Sequence, residues 1–281
     1  MNIKTLTLSM SVGLTLVAGL SVAGKVDRAV TVKGSDTMLI LNQRWAEAYS
    51  KSGGGSVAVS GGGSSIGINA FINGVTDICA SSRKMKKSEV DKARSRSSIA
   101  NEIPVALDGL AIAVHDTNSI KSLTMDELRK IWVGQITNWN QLGGKNEQIA
   151  VFSRDSNSGT YAFFQQNVLK NQNWGPHVVF SPSTSDEGRE VARTEGGICY
   201  GGVAYFKNKK GIKIVPIAEK AGAAPLMPSE ENVRSKKYPI WRTLFFYTNG
   251  SPSGDTAKFI KFALSPAGQK IAEQVGYYSL K

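Results

Sequence analysis

The sequence predicts an α/β protein with largely parallel sheets, and three observations carry that expectation. Short apolar strands alternate with helix-patterned stretches along most of the chain. Three of these strand-to-helix transitions pass through a turn rich in Gly, Ser and Thr. The 281 residues are also more than one small core requires, which leaves room for two lobes or one large domain.

The elements follow in chain order. A strand at 30–33 enters the turn Gly34-Ser35-Asp36-Thr37, and Leu41, Trp45 and Ala48 then share one helical face. A strand at 57–59 enters Gly61-Gly62-Gly63-Ser64-Ser65, after which Ile68, Phe71, Ile72 and Val75 repeat the spacing, with Gly74 near the stop. The run 109–115 is a continuous apolar strand. Thr124-Met125-Asp126-Glu127 has the spacing of a capping box and opens a short helix ending at Trp132. A strand at 149–152 enters Arg154-Asp155-Ser156-Asn157-Ser158-Gly159-Thr160, and Tyr161, Phe164 and Val168 follow on one helical face. A second apolar strand lies at 244–248. One helix starts after Pro252-Ser253-Gly254-Asp255 and runs to about Leu264, and a last one follows Ser265-Pro266.

The three turns share a chemistry. Each sets hydroxyls and backbone N–H groups at a helix N-terminus, where the first amides lack intrahelical partners and the macrodipole is positive. An ordinary N-cap accounts for one such turn; three of them, one with an embedded Arg, point to an oxyanion. Arg154 supplies a planar fork of donors for oxyanion oxygens. Asp36 reads two ways. It is a well-placed charge at a helix N-terminus, and it is also an acceptor for the P–OH of a protonated phosphate, which fully ionised sulfate lacks.

Composition narrows the setting. Lys4 precedes an apolar stretch at 6–22 that ends in Ser21-Val22-Ala23, the pattern of a secretory signal peptide cut after Ala23, with 1–23 removed. An N-terminal membrane anchor is the alternative, disfavoured by the Thr, Ser and Gly that dilute the stretch. No Cys stands at the cleavage site to take a lipid, so a soluble periplasmic protein, or a secreted one, is expected. The net charge of +12 comes from scattered Lys and Arg with small clusters and no interleaved aromatics, which argues against nucleic acid and for a weak field favouring small anions. Cys79 and Cys199 lie in apolar, strand-like runs and read as buried free thiols, a disulfide being the alternative. Two Cys and two isolated His give no metal-ligand spacing, so a metal site is not expected.

Other motifs fail on inspection. Gly62-Gly63-Ser64-Ser65-Ile66-Gly67 lacks the Lys and Ser/Thr of a phosphate-cradling P-loop. Ser81-Ser82-Arg83-Lys84 matches a Ser-x-x-Lys pattern, but no partner motif follows, and neither His115 nor His177 has a nucleophile–base setting. The chain reads as a binding protein rather than an enzyme.

Taken together, Gly34-Ser-Asp-Thr37, Gly61-Gly-Gly-Ser-Ser65, Asp77-Ile-Cys-Ala-Ser-Ser-Arg83, Ile131-Trp-Val-Gly-Gln-Ile-Thr-Asn-Trp-Asn140, Arg154-Asp-Ser-Asn-Ser-Gly-Thr160 and the ending Leu264-Ser-Pro-Ala-Gly-Gln-Lys-Ile271 with Gly276-Tyr277 are similar to one family. The chain resembles the periplasmic phosphate-binding proteins of bacterial phosphate ABC transporters over nearly all of its mature length. The resemblance implies two α/β lobes joined by crossing strands, with phosphate held in the cleft between them without metal or cofactor. It places the ligands at Ser35, Asp36 and Thr37, at Ser64 and Ser65, at Asp77, Ser82 and Arg83, and at Arg154, Ser158, Gly159 and Thr160. Ser82 stands where well-studied members carry the Asp that accepts the phosphate proton, so that role passes to Asp36, or to Asp77. Asp155, beside Arg154, either orients the guanidinium or is simply exposed.

The expected lobes are 24–112 with 245–281, and 113–244. The expected partners are inorganic phosphate and a membrane permease, with the receptor itself a monomer. A receptor for sulfate or molybdate, an exported phosphoester hydrolase and a sensory or adhesive descendant of the receptor fold are the alternatives.

Overall fold

The computed structural model describes residues 28–280; the expected export signal at 1–23 lies outside them. The first lobe begins as β1 (Val30–Gly34), α1 (Leu39–Lys51), β2 (Val57–Ser60), α2 (Ser64–Ile72), β3 (Ile78–Ser81) and α3 (Lys87–Ser95). The long β4 (Ala100–His115) leads on to β5 (Leu123–Thr124), α4 (Met125–Trp132), β6 (Ala150–Arg154), α5 (Gly159–Asn167), β7 (Val179–Ser181), α6 (Thr184–Val191) and β8 (Gly197–Gly202). Then come α7 (Val203–Phe206), β9 (Ile212–Val215), β10 (Ile217–Ala218) and α8 (Glu230–Arg234). The chain returns through β11 (Trp241–Asn249) to α9 (Gly254–Leu264) and α10 (Pro266–Val275).

One continuous sheet runs β2-β1-β3-β11-β4-β8-β6-β7, with β9 added alongside β4. Within each lobe the strands before the anion-type turns are parallel, as the alternation of strands and helices predicts: β1 with β2 and β3, and β6 with β7 and β8. The two strands that join the halves are not. β11 is antiparallel to β3 and β4, and β4 is antiparallel to β8 and β9, so the sheet is mixed rather than largely parallel. β4 is also longer than its apolar run. Its first half pairs with β11 as far as Gly109 opposite Trp241, and from Leu110 onward it pairs with β8.

Each lobe has its own core. In the first, Trp45 on α1 meets Phe246 of β11 edge-on at 5.8 Å, and Phe259 and Tyr277 close the layer. In the second, Phe164 of α5 stacks on Tyr200 of β8 at 4.0 Å with the planes 8° apart, and Trp132 covers both. Buried aromatic pairs of this kind add about 0.5–1.5 kcal/mol each beyond the area they bury. They hold α1 and α5 at fixed depth against the sheet, and so fix where the turns preceding them point.

The helix faces follow the expected spacing with one correction. Leu41 and Trp45 are buried, as are Ile68, Phe71 and Ile72, but α2 stops at Ile72 and Val75 is 65% exposed. Gly74, at φ +67°, turns the chain away before Val75 can continue the stripe. The Thr124 capping box forms as spelled: Glu127 N donates to Thr124 Oγ1 and the Glu127 carboxylate accepts from Thr124 N. Cys79 and Cys199 are buried free thiols in different lobes.

Candidate anion-binding site

Both halves of the sheet send their turns to one point. The β1–α1 turn supplies Ser35, Asp36 and Thr37, all buried. It is held from below by Tyr205, whose hydroxyl donates to Asp36 O (2.7 Å), and by Tyr277, whose hydroxyl donates to Thr37 O. Ser35 N donates to Ala80 O of β3, which leaves Ser35 Oγ buried without a protein partner. The β2–α2 turn ends in Gly63 at φ +109°, so no side chain caps α2 and Ser64 stands at the start of the helix.

From the other half come Arg154 and α5. The Thr37 and Thr160 hydroxyls lie 2.7 Å apart, Ser64 Oγ is 3.2 Å from Ser82 Oγ, and Ser82 Oγ is 3.5 Å from Thr160 Oγ1. Ser82 N also donates to Ser64 Oγ (3.0 Å). Gly159 packs on this cluster so closely that a Cβ there would sit 2.2 Å from Ser64 Oγ and 2.8 Å from Ser82 Oγ. The contact across the halves extends to the backbone, with Ser65 N donating to Asn157 O (3.0 Å). Ser158 is present in a different capacity from a free ligand hydroxyl: its Oγ caps α5, accepting from Thr160 N and Tyr161 N.

Arg154 is 1% exposed, and its donors are largely assigned. Nη1 donates to Thr184 Oγ1 (2.9 Å) and lies 3.3 Å from Asp36 Oδ2, Nη2 donates to Pro182 O (2.8 Å), and Nε has no protein partner. Asp36 Oδ2 also accepts from Thr184 N (3.0 Å). Asp36 therefore fixes the guanidinium, whereas Asp155 accepts from Asn157 N and shapes its own turn.

Other expected site residues are drawn away. Arg83 pairs bidentately with Glu89 (2.7 Å to each oxygen) and reaches the cluster only through Ser65 Oγ (3.2 Å). Burial alone would raise the Glu89 carboxyl, but the Arg83 hydrogen bonds and charge outweigh it and hold Glu89 below the usual carboxylate range. Asp77 is not with the others. It precedes β3, at the opposite end from Ser82, where its carboxylate accepts from Thr31 N and Oγ1 and pairs with Arg28.

Two further charges sit at the cluster that the sequence reading missed. Arg242 Nη1 donates to Thr160 Oγ1 (3.0 Å) and Ser82 O (3.3 Å), while its Nε donates to Asp108 (2.9 Å), the residue opposite it across β11 and β4. Both are buried. The available signal was a charge standing just before each apolar strand run, Asp108 before 109–115 and Arg242 before 244–248, and a buried charge is retained only when paired. A groove of about 600 Å³ opens beside the cluster, sharing Ser82 and Arg242 with it and walled by Lys84–Lys86 and by α5. No group of His, Cys, Asp and Glu able to hold a metal occurs among the described residues.

A family model described as a PBP superfamily domain matches residues 21–267. The phosphate-binding protein PstS of Pseudomonas aeruginosa is 31% identical over 265 residues, covering 88% of this chain and 81% of its own. The chain belongs to the PstS family of the PBP superfamily. Protein SphX of Synechococcus elongatus is 32% identical over 264 residues, covering 89% of this chain and 77% of its own. Among solved structures, a Clostridium perfringens substrate-binding protein with bound phosphate superposes with a TM-score of 0.81 at 28% identity, over 90% of this chain and all of that one. An ABC-type phosphate transport receptor from Vibrio cholerae gives 0.70 at 28%, over 89% of this chain and 99% of its own. The two-lobed fold of this family is the one the sheet describes, with β4 and β11 passing between the lobes.

Proposed function

We propose that the chain is a receptor that binds inorganic phosphate between its lobes and delivers it to the membrane permease of a phosphate ABC transporter. One observation carries this: the Thr37, Ser64, Ser82 and Thr160 hydroxyls, contributed by both lobes, meet at one buried point beside the Arg242 guanidinium, and Asp36, next to Thr37, carries Arg154. The family's phosphate-binding relatives support the same ligand. Several charge-assisted bonds made in a low-dielectric cleft supply the affinity.

In this reading Ser35, Asp36, Thr37, Ser64, Ser82, Arg154, Gly159 and Thr160 surround the anion, Ser158 shapes the α5 N-terminus, and Ser65 and Arg83 form an outer layer. Asp36 is the acceptor for the phosphate proton through Oδ1, since Oδ2 is taken by Thr184 N and Arg154. Asp77 takes no part. The lobes are 24–112 with 245–281, and 113–244, and they turn about the region where β4 changes partners. The receptor acts as an exported monomer freed of residues 1–23, with no catalytic role and no nucleic-acid partner.

Titration calorimetry of the mature chain with phosphate, arsenate, sulfate and molybdate tests the proposal. Heat with phosphate and none with sulfate is expected. Stronger binding of sulfate or molybdate would replace the ligand, and release of phosphate from an artificial ester would replace the class.

A further inference from the structure

Helix α6 carries a carboxyl that the binding account leaves unused. Glu187 is fully buried, and neither Oε1 nor Oε2 has a hydrogen-bond partner in the protein. It lies one helical turn beyond Thr184, the residue whose hydroxyl accepts from Arg154 and whose N–H donates to Asp36. An ionised carboxylate buried without a single donor costs several kcal/mol, so a proton is the least expensive partner it can take.

Its surroundings define what that proton does. The charges that act on Glu187 are Arg154 on β6, Asp36 in the β1–α1 turn and Asp186 on its own helix. The charge of Glu187 acts in turn on Cys199 and Tyr200 of β8, against which α6 packs, and Lys209 lies near Gly188 and acts on Cys199. To the core under α6, β4 contributes Ala111 and Ala113, and α7 contributes Val203 and Phe206 with Tyr205 packed against them, its hydroxyl committed to Asp36 O; β7 has no titratable side chain. Burial is the dominant influence and pushes the Glu187 carboxyl well above the ordinary range; Arg154 opposes this, and Asp36 and Asp186 reinforce it.

The charge balance of the site turns on this group. Arg154 and Arg242 are matched by Asp36 and Asp108, all four buried. With Glu187 neutral the set carries no net charge, and an incoming phosphate meets two guanidiniums each shared with a single carboxylate. With Glu187 ionised the set is net negative, and Arg154 has two carboxylates to satisfy before any ligand.

We propose that Glu187, one turn beyond the Thr184 that holds Arg154, is a positioning residue kept as the neutral acid, and that its ionisation turns the charge set net negative and so weakens phosphate binding. This rests on the receptor reading above. The sign follows from linkage: a bound anion favours the protonated acid, so phosphate affinity is undiminished while Glu187 holds its proton and declines as rising pH removes it.

The test compares phosphate affinity of the wild type and Glu187→Gln by calorimetry from pH 6 to pH 9.5. Phosphate's own ionisation is common to both and cancels in the ratio. The ratio of wild-type Kd to variant Kd is expected to rise by at least about threefold across that range, its steepest limit being about tenfold per pH unit. A constant ratio overturns the proposal. Infrared spectra of wild-type protein carrying ¹³C-labelled glutamate provide the second measurement, which stands even if the variant does not fold. A protonated-carboxyl stretch is expected at pH 7, and glutamates that are all ionised at pH 7 overturn the assignment. Wild-type protein that binds no phosphate at any pH overturns the receptor reading, and with it this role; that result is distinct from a wild type that binds phosphate with a constant ratio.

Discussion

Arg154 and Asp36 touch each other yet have separable duties. Arg154→Ala removes a buried cation and leaves Asp36 without its partner, so phosphate affinity measured by calorimetry should fall by about 2–5 kcal/mol. Asp36→Asn keeps the shape but replaces an acceptor with a group that can also donate. Phosphate should bind more weakly and the phosphate-over-sulfate preference should narrow, since a matched hydrogen bond can reject an analogue by roughly 10⁴-fold. Asp77→Asn is the control. With its carboxylate committed to Thr31 and Arg28, it should leave the phosphate-to-sulfate ratio where it was, and a ratio that moves with Asp77 rather than Asp36 would reassign the acceptor. The contrast shows what sequence proximity conceals. Asp77 and Ser82 share one motif, but an extended strand between them sends them roughly 16 Å apart.

At the scale of elements, the recurring unit is a strand whose C-terminal end opens into a helix through a turn with no bulky side chain. Gly159 is the tightest instance. A methyl group there would meet Ser64 Oγ at 2.2 Å, and α5 belongs to one lobe while Ser64 belongs to the other. Gly159→Ala should therefore obstruct the approach of the lobes and weaken phosphate binding at least about a hundredfold, equivalent to about 2.7 kcal/mol. The thermal midpoint without ligand should change little, because neither lobe's core is touched. A large loss of stability with unchanged affinity would show that Gly159 serves packing within its lobe instead. The turns themselves were legible from composition, because helix starts are written locally in Ser, Thr, Asp and Gly. Thr184 and Glu187 were not, because nothing local marks a helix as facing a site built by distant strands.

For the whole molecule, β4 and β11 are the connection on which closure depends. They pair antiparallel from Ala100 opposite Asn249 to Gly109 opposite Trp241, and beyond that point β4 pairs with β8. The Arg242–Asp108 pair lies one register position before this change, and its Arg242 also donates to Thr160 at the start of α5. Ligand held by both lobes favours the closed arrangement. Small-angle scattering should show the radius of gyration falling with saturating phosphate toward the roughly 18 Å of a compact chain of this length. No change would mean that the lobes are fixed and that phosphate enters by another route, of which the groove between Lys84–Lys86 and α5 is the one in view.

The sequence by itself determined the α/β alternation, the three anion-type turns and Arg154. These depend on local rules: side-chain periodicity, capping residues and the glycines that a tight turn requires. It also carried enough motif for the family to be named. What only the tertiary structure decided is which charges share the buried site. Arg242 meets Asp108 because of the register of two strands separated by more than a hundred residues, Arg83 is drawn off by Glu89, and Glu187 is enclosed without a donor because α6 packs on β8 and β6. Electrostatic pairing in a low-dielectric interior depends on distance in space and on the water excluded from it, and neither quantity is local in sequence.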